Sequence, residues 1–312
     1  MQENKNHKSE AVSYKELFLS SMKTEYIREL EIRQEPGQHG SMYLEAVLSG
    51  EAKENEIHGI GETLTLMYEK DGKEKPLFYG VIDKVQTVKD GESLILRLDA
   101  WDATRLMDTD KRLIAYQDLD MTTHQLIDKI MKTYPGADYK VHVPEEKIEQ
   151  ILVQYEETDW EFLKRVFAKY HAALYPDPAF DAVRVQAGVS PDAEPWNWDD
   201  LPYELSQDFE EFKARKENGL SEISCLKNMV CTVTSCDIAG LGNQISYKGN
   251  AWYIRSLERR IEKGLLTTRY HMAQKEGLMI LSYMNPGITG VSINGTIKAV
   301  KRDKVQVELE VD

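Results

Sequence analysis

A strand that runs without a loop into a capped helix is the feature of this chain that most limits its fold. The run is Gln154-Tyr155-Glu156-Glu157-Thr158-Asp159-Trp160-Glu161-Phe162-Leu163-Lys164-Arg165. Thr158 followed three residues later by Glu161 is a capping box, in which side chain and backbone satisfy each other's orphan groups at the helix start. Behind it Phe162, Leu163, Val166, Phe167 and Tyr170 recur at helical spacing and form one apolar stripe. Asp159 and Glu161 fall in the first turn, where the helix dipole favours negative charge. The helix therefore has a defined start and one inner face.

Most of the remaining chain reads as β. From Val12 to Ala103, strands are expected at Tyr26–Arg33, Ser41–Leu48, Thr63–Tyr68, Leu77–Gln86 and Ser93–Ala100. Two Asp-Gly pairs, at Asp71-Gly72 and Asp90-Gly91, are hairpin signals. Residues 106–150 change character. Thr122 with Gln125 forms a second capping box, Leu126, Ile127, Ile130 and Met131 make a stripe, and Pro135-Gly136 stops the helix. The β pattern resumes at Ile151. Met229–Thr234 alternates, and Trp252–Arg259 is expected to pair with Leu265–Met272 across Glu262-Lys263-Gly264. Residues 206–217 are ambiguous between helix and strand. After Asn285-Pro286-Gly287 the chain alternates again, strictly so at Val305, Val307, Leu309 and Val311.

Composition excludes several partners. The 312 residues carry a formal net charge of -14, which disfavours nucleic acid and anionic membranes. No apolar run reaches the ~18 residues of a membrane helix, and Met1–Glu10 lacks the apolar core of a secretion signal. Cys225, Cys231 and Cys236 fit no zinc spacing and read as buried or half-buried thiols. No metal or cofactor is expected. Glu156, Glu157 and Asp159 could suggest a carboxylate pair, but their place at a helix start is a structural one. Asp108 and Asp110 read as a solvated loop. The seven histidines show no metal pairing, and Gly59-Ile60-Gly61 lacks the third glycine of a dinucleotide loop. Two groups are candidate interface residues. Trp196 and Trp198 would face the same way on an extended segment, either anchoring a loop or contacting a partner. Arg255, Arg259 and Arg260, with Lys263, form a basic run that is either a solvated strand face or a contact with another subunit.

The opening run, Gln154, Tyr155, Thr158, Asp159, Trp160, Glu161, Phe162 and Leu163, resembles the hub part of spike proteins from contractile injection machines. These are the VgrG proteins of type VI secretion, the late control D proteins of phages and related baseplate hubs. Further fragments resemble that family in the same order: Phe78-Tyr79-Gly80-Val81-Ile82, the Gly242–Gly249 hairpin followed by Trp252-Tyr253-Ile254, and Gly264–Tyr270. Gly295–Val307 resembles the opening of the spike's OB-fold.

The resemblance implies a mainly β (α+β) fold with two tube-type β-barrel domains and small helical inserts, followed by the start of an OB-fold. The expected boundaries are a leader at 1–11, a first hub barrel at 12–105, a helical insert at 106–150, a second hub barrel at 151–282 with a surface loop at 188–204, and a linker with the first OB strands at 283–312. It implies a structural role without catalysis, in a homotrimer that meets the inner tail-tube ring, baseplate or wedge proteins and a spike tip or effector. Such a chain would be cytoplasmic before assembly and then part of a tail or injection particle. Because the sequence stops at Asp312, a truncated chain or a hub without its needle is expected. A tail-associated cell-wall hydrolase or a β-rich binding module are the competing classes.

Overall fold

The computed structural model describes residues 11–49, 63–190, 195–221 and 223–311. The expected leader, save Ala11, and the Gly59-Ile60-Gly61 stretch lie outside these residues. The first block carries β1 (Leu17–Leu19), β2 (Thr24–Gln34), β3 (Ser41–Leu48), β4 (Thr63–Lys70), β5 (Lys73–Asp90) and β6 (Ser93–Asp102). A middle block follows with β7 (Arg112–Tyr116), α1 (Thr123–Met131), β8 (Asp138–Val141), β9 (Leu152–Glu157), α2 (Asp159–Ala168), β10 (Leu174–Pro176) and β11 (Arg184–Ala187). The last block holds β12 (Trp196–Asn197), β13 (Tyr203–Ser206), α3 (Phe209–Glu217), β14 (Val230–Ser235), β15 (Gln244–Tyr247), β16 (Asn250–Glu262) and β17 (Leu265–Ala273). A hairpin of β18 (Gly295–Lys301) and β19 (Lys304–Leu309) ends the described chain.

Local rules account for most elements. Gln125 N donates to Thr122 Oγ1 at 3.2 Å and Thr122 N to Gln125 Oε1 at 2.9 Å, so the second capping box forms as expected. The ambiguous stretch is helical from Phe209, capped by Asp208 Oδ1, which accepts from Glu211 N at 2.9 Å. β5 starts earlier than its apolar run and contains Pro76. The ladder with β4 shifts register there, between Leu66 and Met67, so the missing N–H interrupts a pairing that is already broken.

The fold is mainly β, but the two strand blocks are not separate barrels. They share one 12-stranded sheet in the order β1-β4-β5-β6-β3-β2-β16-β17-β14-β13, with β15 on β16 and β12 on β15. The seam is the antiparallel pairing of β2 with β16, from Gln34 opposite Leu257 to Glu31 opposite Arg260. Alternation explains it. On one face Glu31, Arg33, Glu258 and Arg260 form a charge quartet, with Arg33–Glu258 at 3.1 Å and Arg260–Glu31 at 3.2 Å. On the other face Ile32 and Leu257 are buried. The β16–β17 hairpin also closes over the first block. Leu266 N donates to Val12 O at 2.7 Å and Tyr14 N to Gly264 O at 3.0 Å. Leu266 is thereby buried in the core of β1 to β6, with Ile261 packed against it.

Three apolar cores result. The first lies inside the β1–β6 block around Leu30, Leu44, Leu66 and Phe78. The second gathers α1 and α2, through Leu126, Ile127, Phe162, Leu163 and Phe167. The third belongs to the last block, around Trp198, Ile254 and Tyr270. Each large apolar side chain buried this way contributes ~1.5–3 kcal/mol.

Gly80 shows why the Phe78–Ile82 strand needs its glycine. A Cβ there would fall inside the contact radius of the Trp101 carbonyl oxygen and 2.6 Å from the Phe78 ring. Gly80→Ala should lower the unfolding free energy by ~2 kcal/mol or more, as overpacking at a rigid backbone does. Urea unfolding measures this; a change within ~0.5 kcal/mol would show that β6 yields freely.

Candidate functional site

The junction between β9 and α2 is built by a bulge. β9 pairs with β7, but Arg112 lies opposite Glu157 and Leu113 opposite Tyr155, so Glu156 is the extra residue. Its φ is 48°, in the left-handed region. The bulge turns the chain so that Thr158 becomes the helix cap. Glu161 N donates to Thr158 Oγ1 at 3.1 Å, and Thr158 N donates to Glu161 Oε2 at 3.0 Å. Trp160, Phe162, Leu163, Val166 and Phe167 then face inward, each no more than 2% exposed.

The polar residues of the motif are buried as deeply as the apolar ones. Asp159 is 2% exposed and Gln154 fully buried. Asp159 Oδ1 accepts from Gln154 Nε2 at 2.9 Å; Oδ2 accepts from the Tyr134 hydroxyl at 2.7 Å and pairs with Arg112 at 3.1 Å. Burial, and then the bond to Asp159, push the Tyr134 phenol up. Beside it Arg165 grips both oxygens of Glu157, at 2.7 and 2.6 Å, and donates to Val153 O at 2.8 Å. Tyr155 is half-buried, and its carbonyl accepts from Asn285 Nδ2 at 2.8 Å, so the segment after β17 docks on the motif strand.

A second relay joins α2 to the first block. Thr158 Oγ1 donates to Asp108 Oδ1 at 2.5 Å, and Asp108 Oδ2 lies 3.2 Å from His39 Nε2. His39 Nδ1 is 2.8 Å from Thr104 Oγ1, and the ring rests on Trp160 at 4.7 Å between centroids. Asp102 accepts from Thr104 N at 2.9 Å, from the Thr104 hydroxyl and from Gly40 N. Burial raises Asp102 to about 6 against these bonds. Burial also acts to raise Asp108, but bonds from Thr158 and His39 outweigh it and hold the carboxyl below its usual range. Burial lowers His39. Asp108 is thus a tie between blocks rather than part of a solvated loop.

The order Thr104, His39, Asp108 has the composition of a hydroxyl–imidazole–carboxylate relay. Thr104, however, is 2% exposed, and its hydroxyl hydrogen goes to Asp102. No proton is left for His39 to take, and the oxygen is out of a substrate's reach. Among the described residues no group of three or more His, Cys, Asp or Glu is arranged to hold a metal ion. No helix among them is long and apolar enough to cross a membrane.

The candidate interface residues separate. Trp198 is 3% exposed, with its indole N–H donating to Asp237 at 2.8 Å and its ring 4.8 Å from Tyr270. It is a core residue rather than a surface contact, and Trp196 packs half-buried against the same core. Arg259 is also 3% exposed and so is not part of a solvated strand face. Arg260 belongs to the charge quartet, and Arg255 pairs with Glu211 at 2.9 Å. Arg255 and Arg260 of the basic run are therefore neutralised within the chain. Cys231 is buried and Cys236 half-buried, as their alternating context suggested, and Cys225 is half-buried as well. Sequence reasoning missed Arg112, Tyr134, His39 and Asp102, which no local pattern marks.

The fold defined by this shared sheet and capped-helix junction is that of contractile-tail hub proteins. It is similar to the E. coli c3393 protein, described as a component of the type VI secretion system with structural similarity to T4 bacteriophage tail proteins gp27 and gp5. The TM-score is 0.63 at 12% identity, over 94% of this chain and 88% of that one. The 43 kDa tail protein of prophage MuSo2 from Shewanella oneidensis gives 0.62 at 12% identity, over 86% and 99%. A Francisella PdpA–VgrG complex gives 0.52 at 10% identity, over 88% of this chain and 57% of that one. No curated protein matches the sequence. Residues 42–176 match the family model of the phage tail baseplate hub (GPD). The chain shares the fold of these tail and VgrG proteins, and the matched segment contains both ends of the Asp108–Thr158 and Tyr134–Asp159 ties.

Removing the Thr158 hydroxyl deletes a cap and takes the donor from Asp108 Oδ1. Thr158→Ala should cost ~2 kcal/mol of stability, about half from the cap and half from the lost bond to Asp108. Thr158→Ser should cost less than ~1 kcal/mol. Urea unfolding at neutral pH distinguishes the two, and equal losses would refute the assigned role of the hydroxyl.

Proposed function

We propose that this protein is the structural base of a spike in a contractile tail, a trimeric adapter between a hexameric inner tube and a threefold spike. The observation that carries the proposal is the hub-family match over residues 42–176, the segment in which Asp159 and Thr158 tie β7, β9, α2 and the first block together. Ties of this kind favour a rigid body. Symmetry supplies the adapter. Three copies, each with two strand blocks, present six related surfaces to a sixfold ring, and a threefold spike leaves from the other side.

On this reading the partners are two further copies of the chain, the inner tail-tube ring, baseplate or wedge proteins, and a spike tip or effector. Nucleic acid is not a partner, since the net charge of -14 repels it. The chain is held in the cytoplasm until assembly and driven toward the target when the sheath contracts. Residues 12–105 and 151–282 act as the two hub units, with 106–150 as an insert, and Gly295–Leu309 is the first hairpin of an OB-fold. No reaction is catalysed, and purified protein should release nothing from cell walls.

Light scattering of the purified chain across a range of concentrations tests the symmetry argument. The expected mass is three times 35.9 kDa. A monomer at every concentration would remove the threefold adapter from the proposal.

A further inference from the structure

At the seam between β2 and β16, two buried polar side chains have hydrogen-bonding capacity left over. Arg259 and Gln34 are each 3% exposed. Gln34 pairs with Leu257 and Arg259 with Ile32, so the two are diagonal neighbours on the buried face of adjacent strands. Arg259 Nε donates to Thr268 Oγ1 at 2.9 Å, and Nη2 donates to Ala239 O at 2.9 Å and more weakly to the Tyr270 hydroxyl at 3.4 Å. These bonds staple the loop before β15 to β17. Among the described residues Nη1 has no hydrogen-bond partner and no carboxylate forms an ion pair with Arg259, whereas Arg33, Arg255 and Arg260 all have one. The Gln34 amide likewise has no partner among the described residues.

Both side chains line one cavity of about 240 Å³, walled by β10 and β11 on one side and by residues 238–243 on the other. Lys140 and Arg184 reach the same cavity; Arg184 is paired with Asp138 at 2.9 Å and with Asp177 at 3.5 Å, which leaves Arg259 and Lys140 as the positive charges there without an ion pair among the described residues. This excess of positive charge stands in a chain of net charge -14. Asn243 also lines the cavity; its Oδ1 accepts from Gly240 N, which leaves its amide hydrogens for a ligand. Leu77, Ile238 and Leu241 supply apolar wall. A buried guanidinium without a counter-charge is costly, and each such group in a folded protein calls for an explanation.

We infer that this cavity is a carboxylate-binding site. The carboxylate accepts from Arg259 Nη1 and from the side-chain amides of Gln34 and Asn243, and a short apolar body rests on Leu77, Ile238 and Leu241. The volume falls below the ~300–1,000 Å³ of pockets for drug-sized ligands, so the occupant is a small organic acid or a single acidic side chain. The amides of Ala239, Gly240, Gly242 and Asn243 in the lining loop already donate to other groups, which favours a planar carboxylate on the guanidinium over phosphate. The inference stands independently of the hub assignment.

Isothermal titration calorimetry of the full chain at low salt tests it. The probes are succinate, benzoate and the capped peptide N-acetyl-Ala-Glu-Ala-amide, with benzamide and inorganic phosphate as controls. Saturable binding of at least one carboxylate is expected, with benzamide and phosphate at least tenfold weaker. Binding of the free acids identifies a small metabolite as the occupant; binding of the peptide alone identifies a partner's acidic side chain. Arg259→Gln should weaken binding at least tenfold. Because Arg259 also staples a loop, Gln34→Leu is the second variant. It should bind the carboxylate several-fold more weakly while its melting temperature stays equal or rises, which a merely structural glutamine would not do. No carboxylate binding, equal binding of phosphate, or undiminished binding by Gln34→Leu would each overturn the assignment.

Discussion

The buried carboxylate of Asp159 is the interaction on which the middle of the molecule depends. Its oxygens are claimed by Gln154 from β9, Tyr134 from the end of α1 and Arg112 from β7. A carboxylate 2% exposed is tolerable only when so surrounded. The same requirement positions three elements around one point, so the start of α2 has little freedom left. Thr158 then extends the arrangement outward through Asp108 and His39 to the first strand block. Removing Gln154 would leave Asp159 Oδ1 without its donor, whereas Oδ2 has both Tyr134 and Arg112.

The seam of β2 with β16 binds the chain's beginning to its end. Residues 31–34 pair with residues 257–260, and Val12 meets Leu266. The first core is incomplete without Leu266 from the β16–β17 hairpin. Its wall therefore depends on a segment made about 250 residues later, and the two blocks have reason to unfold as one unit. A part that transmits a contraction stroke would benefit from that coupling. The charge quartet on the open face of the seam adds little energy per pair in water, but it selects this register over a slip by one residue.

What was legible in the sequence was local. Both capping boxes and the hairpin at Lys263-Gly264 follow from residues within a few positions of each other, and they formed as expected. What was illegible was distant. Thr158 reaches Asp108 across 50 positions and Tyr134 reaches Asp159 across 25, and no periodicity marks such partners. Alternation assigns a residue to a face without saying what covers that face. Alternation leaves Trp198 between a loop anchor and a partner contact, and Arg259 between a solvated face and a subunit contact; packing against Tyr270 and the 238–243 loop buries both. The sharing of one sheet by two strand blocks escaped for the same cause, since strand pairing at the seam joins segments more than 200 residues apart. The resemblance to hub proteins supplied what periodicity could not.

The central claim is that contractile particles need this chain as a building block. Deleting its coding sequence from the producing strain, and counting tails by electron microscopy after induction, tests that claim most directly. The account predicts no complete particles with sheath, tube and baseplate, and their return when the chain is supplied from a plasmid. Normal numbers of complete, contractile particles without the chain would contradict it.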